Sequence, residues 1–316
     1  YNQAPYLEDL FVNPRVNGSV APNVKSMTVN ANDLSYVISS PFLKLRLTGY
    51  LVDTDNETTV QRFFADGIPL NSVDADGNQT NVQSAFVSQV MTDVKKRNMG
   101  VELGVDVKVL PTLSLQGLAS IGQYTYKNDP KTYFASDAVG VFANGLPYVD
   151  LGKAYINNYR QGGTPQQAYS VGFRYNNPKY WWVGANWNYF DENYLDPAAL
   201  VRTESFVQNN VTGTPYYGLT DSDLRKVLQP NKLPSSFFLN ANAGKSWVIG
   251  KYYVLISATV NNILNNRKYI TGGFEQTRNA VYPTFSQDLN REYTLFAPKY
   301  WYTQGRSYFV NLQFRF

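Results

Sequence analysis

Apolar and polar residues alternate with a period of two over much of this chain. At 101–109, Val101, Leu103, Val105, Val107 and Val109 alternate with Glu102, Gly104, Asp106 and Lys108. At 169–176, Tyr169, Val171, Phe173 and Tyr175 alternate with Ser170, Gly172, Arg174 and Asn176. The stretches 43–51, 181–190, 237–244 and 252–261 repeat the pattern. The chain closes on it, with Tyr308, Val310, Leu312, Phe314 and Phe316 set against Asn311, Gln313 and Arg315. Successive side chains of a strand point to opposite faces, so each stretch predicts a β-strand with one apolar and one polar face. The stretch 26–37 is weaker. Its apolar phase slips between Ala31 and Leu34, which predicts a bulge.

The connections alternate as well. Tight turns at 39–41, 110–112, 176–178 and 248–250 separate long polar stretches at 56–82, 128–164, 196–235 and 265–300. Strand, short turn, strand and long loop recur four times before a final strand, which gives nine strands. A soluble sandwich has no reason to gather its long loops at one end. A bacterial transmembrane barrel does so, with its short turns in the periplasm and long loops outside. The polar face carries Lys44, Arg46, Glu102, Asp106, Lys108, Arg174 and Arg315. Unpaired charges in a dry core would each cost several kcal/mol, whereas a wet lumen accepts them. The apolar face is nearly free of charge and suits lipid. Aromatics gather at strand ends: Tyr175, Tyr180 and Trp181 beside one turn, Trp247, Tyr252 and Tyr253 beside another. They predict a girdle at the membrane interface. The fold class is therefore all-β, an antiparallel transmembrane β-barrel.

Composition narrows the functions. The 316 residues include 25 Tyr, 18 Phe and 5 Trp, yet mean hydropathy is −0.35. No run approaches the roughly 18 apolar residues of a spanning helix, a test that strands escape. There is no Cys and no His, which removes disulfides, thiolate sites, the commonest zinc ligand and a Ser-His-Asp triad. No pair of acids stands at a catalytic spacing, so no enzyme is read here. The net charge of +4 is not gathered into a basic run, so no nucleic-acid partner is expected. "DTDNET" (53–58) and "DADGN" (74–78) have the composition of Ca²⁺ loops, but Gly77 comes too early for an EF-hand and no Glu follows. Turns use the same residues, so no cofactor is assigned and Ca²⁺ is the minor reading. "DSDLRKVLQP" (221–230) predicts a short loop helix capped by Asp221 or Ser222 and stopped by Pro230. Tyr216, Tyr217, Phe274 and Tyr282 fall in long loops, where they could stack on a sugar or grip a peptide.

Four stretches carry a family resemblance. "VKKRNMGVELGVDVKVLPTLSLQGLASIGQYTY" (94–126) resembles the strand and "P-x-L" turn of TonB-dependent outer-membrane receptors. "GTPQQAYSVGFRYNNPKYWWVGANWNYFDENYLD" (163–196) resembles a hairpin of their large SusC-like branch. "SATVNNILNNRKYITGGFEQ" (257–276) and "APKYWYTQGRSYFVNLQFRF" (297–316) resemble the last two strands. Ending on Phe316 after alternate Tyr308, Val310, Leu312 and Phe314 is similar to the assembly signal of outer-membrane barrels. The resemblance implies import of a large nutrient (oligosaccharide, peptide or chelate) driven through TonB. It implies outer-membrane lipid around the barrel, long loops outside and a periplasmic C-terminus. Surface lipoproteins or other outer-membrane subunits are further partners it suggests. The family builds a 22-stranded barrel around a plug. Nine strands, an odd number, and no plug candidate lead us to expect that 1–316 is the C-terminal portion of such a barrel domain, entered in mid-loop at Tyr1, with contact to TonB made through a missing N-terminal part. A receptor-like barrel serving as a structural subunit without transport is the alternative, and a passive porin the third.

Overall fold

The computed structural model describes residues 1–13, 18–73, 79–142, 144–209, 212, 214–220, 222–223, 225, 229–275, 282–293 and 298–316. Fourteen strands are present among them: β1 (Asn2–Gln3), β2 (Met27–Ser39), β3 (Leu43–Val73), β4 (Gln79–Leu110), β5 (Leu113–Tyr126), β6 (Lys131–Ser136), β7 (Val149–Lys153), β8 (Gln167–Asn177), β9 (Trp181–Asp191), β10 (Ser236–Ile249), β11 (Tyr252–Asn261), β12 (Ile270–Phe274), β13 (Lys299–Tyr302) and β14 (Ser307–Arg315). Nine of them form one antiparallel meander, β2-β3-β4-β5-β8-β9-β10-β11-β14, in the number and order expected. The sheet is open, with β14 at one edge and β2, extended by the short β1, at the other. The four short turns all join strands at the same end of the sheet.

Register turns the alternation into two faces. One row runs Leu45, Val105, Gly117, Val171, Trp187 and Leu239 from β3 to β10. The row beside it, one residue away, runs Lys44, Asp106, Gln116, Gly172, Asn186 and Asn240. The apolar rows extend from Leu43 to Leu51 on β3, Met99 to Val109 on β4 and Tyr252 to Val260 on β11. Each spans about nine to eleven residues, the length a tilted strand needs to cross hydrocarbon. Above Leu51 and Met99 the same face carries Asp53 and Arg97. They pair directly across the strands through two hydrogen bonds of 2.6 and 2.9 Å. Charge returns at the point where the apolar band stops.

Two expectations are corrected. The bulge in β2 is absent: Thr28 to Ser39 pair with Asp55 to Lys44 without a shift. Leu34, Tyr36 and Ile38 fall on the apolar face, opposite Gly49, Leu47 and Leu45, while Asn30 and Asn32 share that face higher up. The slip in the pattern marks the strand leaving the apolar band. The loop expected at 56–82 is instead a hairpin, since β3 and β4 continue to Val73 and from Gln79. The register shifts between Thr54 and Glu57 and again before Thr59, with Asn56 and Asp93 at positive φ. Such bulges bend and twist a hairpin. Beyond them β4 pairs on its other side with β6, and nearly every residue from Ala85 to Thr92 is buried. A strand covered on both faces loses the two-residue alternation, so its sequence does not read as a strand.

The polar face is braced by Tyr over Gly. The hydroxyls of Tyr50 and Tyr124 meet at 2.8 Å. A Cβ at Gly100 would lie 2.7 Å from the Tyr50 hydroxyl and 2.6 Å from the Ile121 carbonyl, so only Gly fits there.

Two predictions follow from the faces. Val105→Arg and Ile256→Arg place a charge in mid-band on the apolar face and should cost about 2–4 kcal/mol. Asp106→Arg and Ser257→Arg, one residue along, should assemble nearly as the parent does. The amount of folded, surface-exposed protein measures the contrast within each pair. Gly100→Val should overpack the Tyr50 contact and cost about 1–3 kcal/mol, read as a lower urea midpoint of the folded barrel.

Candidate functional site

Two regions of the chain gather polar groups that could act on a solute: the polar wall and the cap of folded loops above it. The wall follows from alternation. Hydroxyl, amide and charged side chains occupy every second position, and Gly104, Gly172 and Gly184 leave room between them. A cleft of about 500 Å³ is lined by Arg46, Thr48, Glu102, Ser120, Ser170 and Asn188. A second, of about 350 Å³, is lined by Gln116, Arg174, Asn186 and Asn242 with Gly172 and Gly184. Both lie on the polar face. The Arg46 guanidinium donates to the Thr48 hydroxyl at 3.2 Å, and Gln116 donates to Asp106 at 3.1 Å. The wall holds itself in place with hydrogen bonds and keeps further donors and acceptors for water, a polar solute or a polar protein surface.

The cap is a small set of cores built where lipid no longer covers the strands. Val12, Ala21, Val90, Tyr133 and Ala135 form one cluster on β4 and β6, and Ala85, Val87, Phe134, Val139, Phe142 and Leu200 another. A third joins Met91, Val94 and Tyr126 to Ala154, Ile156, Tyr159 and Ala199. Each mixes strand with loop residues. A buried ion pair ties three loops together. Arg202, 3% exposed, bonds Glu275, 9% exposed, at 2.6 and 3.1 Å. Arg202 also donates to the Ala198 carbonyl at 2.9 Å, and the Ala198 N–H donates to Glu275 at 2.8 Å. The Tyr159 ring lies 5.6 Å from the guanidinium, and its hydroxyl donates to the Arg225 carbonyl at 3.0 Å. Arg225 in turn pairs with Asp129. Burial pushes the Tyr159 phenol above its ordinary pKa, against the pull of Arg202. At the foot of the third loop Glu192 accepts from both Lys232 and Tyr194, and these bonds hold its carboxyl below the ordinary range.

The residues singled out in the sequence meet different fates. Tyr308, Val310, Leu312 and Phe314 form an exposed apolar row on β14, followed by Phe316, and Phe314 stacks on Tyr252 at 5.5 Å. Tyr175 and Trp181 meet at 5.2 Å at the short-turn end, and Trp247 lies on the same apolar face. Tyr180 sits in the turn with φ 60°. Tyr253 takes the opposite, polar face and donates to Ser246 at 2.9 Å. A second aromatic row at the long-loop end escaped the sequence reading. Tyr169, Tyr189, Trp187 and Phe237 follow one another with centroids 6.0 to 6.4 Å apart. Its members lie on three strands, so only the register reveals it.

Among the loop aromatics, Tyr282 is buried against Phe206 and Phe285, and half-buried Tyr216 packs against the same cluster. Tyr217, at φ 53° and 73% exposed, leans on Tyr282 at 6.1 Å. Phe274 stands apart on β12, half exposed. Of the helix expected at 221–230, Ser222, Asp223 and Arg225 are described and helical, and Gln229 and Pro230 are described outside any helix. The Thr220 hydroxyl and N–H both donate to the Asp223 carboxylate at its start, and Asp221 lies outside the described residues. In "DTDNET" Asp53, Asp55 and Glu57 pair with Arg97, Lys95 and Lys96 of β4, so protein cations neutralise them. "DADGN" lies outside the described residues.

The family described as "TonB dependent receptor-like, beta-barrel" matches residues 1–263. No curated protein matches the chain in sequence. Among solved structures, copper transporter OprC is similar with a TM-score of 0.50 and 13% identity, over 98% of this chain and 35% of that one. A mutant of the ferric enterobactin receptor PfeA from Pseudomonas aeruginosa gives 0.47 and 14%, over 98% and 36%. The FrpB iron transporter from Neisseria meningitidis gives 0.44 and 11%, over 94% and 33%. The chain spans about a third of the length of these structures.

Removing one member of the buried pair leaves a charge without a partner. Arg202→Ala should cost the cap about 3–5 kcal/mol, while Arg202→Met combined with Glu275→Leu should cost much less. Hydrogen exchange of the 192–235 loop in the full-length protein measures both. Glu192, with its pKa depressed, contributes stability above its unfolded value of about 4.3, and this is lost as pH falls through the folded value. Proteolysis of that loop should therefore rise on acidification, and Glu192→Gln should show the raised level already at neutral pH.

Proposed function

The chain belongs to the family of TonB-dependent receptor-like β-barrels, and on that premise we propose that it is the C-terminal part of the barrel of a SusC-like transporter, importing a large nutrient across the outer membrane of a Gram-negative bacterium. The observation that carries the reading is the pairing of two unlike surfaces on one sheet. A hydrated wall with clefts lies on one face, and an apolar band of membrane-spanning height lies on the other. Import needs such a wall, because a polar solute crossing hydrocarbon unaided would lose its hydrogen bonds to water.

The long loops lie outside the cell in this reading and the four short turns in the periplasm. TonB, reached through an N-terminal part of the protein, supplies the energy. The substrate is an oligosaccharide, peptide or chelate, and exposed Tyr217 and Phe274 are its first contacts. The row from Tyr308 to Phe316 serves as the assembly signal. A surface lipoprotein is the expected partner of the cap, which offers folded loops rather than bare turns for docking.

Topology is tested by single cysteines, since the chain has none of its own. Tyr217→Cys should react with a membrane-impermeant maleimide on intact cells, and Thr112→Cys only after permeabilisation. Transport is tested by growth of cells carrying the full-length protein on an oligosaccharide, a peptide or a chelated metal as sole source, with and without TonB. TonB-dependent growth on one class supports import. Growth on every class that ignores deletion of the protein overturns import in favour of a structural subunit.

A further inference from the structure

Cations stand at both ends of the apolar band. At the long-loop end Arg97 is held by Asp53 in a two-bond pair, and Lys95 lies 3.7 Å from Asp55. At the short-turn end stand Lys179, Lys245 and Lys251, all exposed. No carboxylate pairs with any of them among the described residues. Asp106, the acid nearest that end on the central strands, belongs to the opposite face.

Register brings these lysines around one aromatic belt. Lys245 pairs with Trp181 on one side and Ile256 on the other, so its stem lies on the apolar face. Its ammonium sits 5.4 Å from the Trp247 ring centroid. The Ser246 N–H donates to the Tyr180 carbonyl at 2.8 Å, which holds the turn carrying Lys179 against the strand of Lys245 and Trp247. Lys251, in the next turn, holds its ammonium 5.6 Å from the Tyr252 ring. Ammonium groups beside Trp and Tyr, at the edge of an apolar band, sit where lipid headgroups lie. Their exposed heads stay hydrated and are open to a headgroup phosphate. Charge-assisted bonds to a phosphate are short and strong, and basic side chains at a membrane surface attract anionic lipid.

We propose that Lys179 and Lys245, flanking Trp247 and supported by Lys251, bind the phosphate of an anionic phospholipid in the leaflet that meets the short turns. The acyl chains lie along the apolar rows of β9 and β10, beside Trp181 and Ala243. The assignment rests on the topology proposed above, which puts that leaflet on the periplasmic side.

The test uses the full-length protein, purified in neutral detergent and examined by native mass spectrometry with added phosphatidylglycerol or phosphatidylcholine of matched chains. The wild type should retain phosphatidylglycerol in preference. Lys179→Gln with Lys245→Gln should lose that retention several-fold, and Lys179→Arg with Lys245→Arg should keep it, which separates lost charge from misfolding. Undiminished retention in the Gln variant overturns the site. Displacement of the lipid by inorganic phosphate alone overturns the lipid assignment in favour of a soluble anion. Maleimide labelling of Lys251→Cys on intact cells would instead sink the topology, and this readout is independent of lipid retention.

Discussion

Hydrocarbon offers no partner to a backbone N–H or C=O, so a chain that enters it as strands must bond each strand to its neighbours. The nine-strand meander meets that demand between its two edges with nearest-neighbour antiparallel pairing, and four of its turns are only a few residues long. Everything else on the sheet follows from it. Once the ladder is fixed, side chains have only two directions, and the choice at each position is lipid or lumen. A single residue step separates Val105 from Asp106 and Ile256 from Ser257, because that step crosses the whole thickness of the wall.

Above the band the solvent problem reverses. Water satisfies the backbone but not the apolar side chains of the β3–β4 extension, so the loops fold over it and bury Val87, Val90 and Val94. The cost is that polar groups are buried with them. Both amide atoms of Gln89 and the hydroxyls of Thr92 and Thr132 have no hydrogen-bond partner among the described residues. The Arg202–Glu275 pair is the opposite case, with both charges desolvated and almost every lone pair answered. Such an interior combines apolar clusters with specific bonds that tie one loop to another.

The meander was legible because lipid and lumen impose opposite chemistries on alternate residues, and that contrast survives in Val101 to Val109 as plainly as in print. The hairpin beyond Asp53 was not legible in its β4 arm, since Ala85 to Thr92 are buried on both faces apart from Phe86 and follow no two-residue rule. In β2 the pattern was visible but its meaning was not. A phase slip and an exit from hydrocarbon look alike until Asn32 is seen opposite Leu51. The cap was hidden for a different reason. Arg202 and Glu275 are 73 residues apart, and Arg225 and Asp129 are 96 apart, with no local motif at either member. Tyr253 was misplaced by one step, to which a girdle inferred from proximity to a turn is blind.

The two margins of the apolar band are built from unlike materials. At the upper margin Asp53 and Arg97 hold each other in a fixed fork, and the charges cannot sink without breaking two bonds. At the lower margin Lys245 reaches its level on a flexible stem laid along Trp247, and such a stem can lengthen or fold back. A membrane that thickens or thins therefore meets a rigid rim on one side and a compliant one on the other. Hydrophobic mismatch is then met first at the short-turn end, where the cation can follow the interface while the Asp53–Arg97 fork keeps its place.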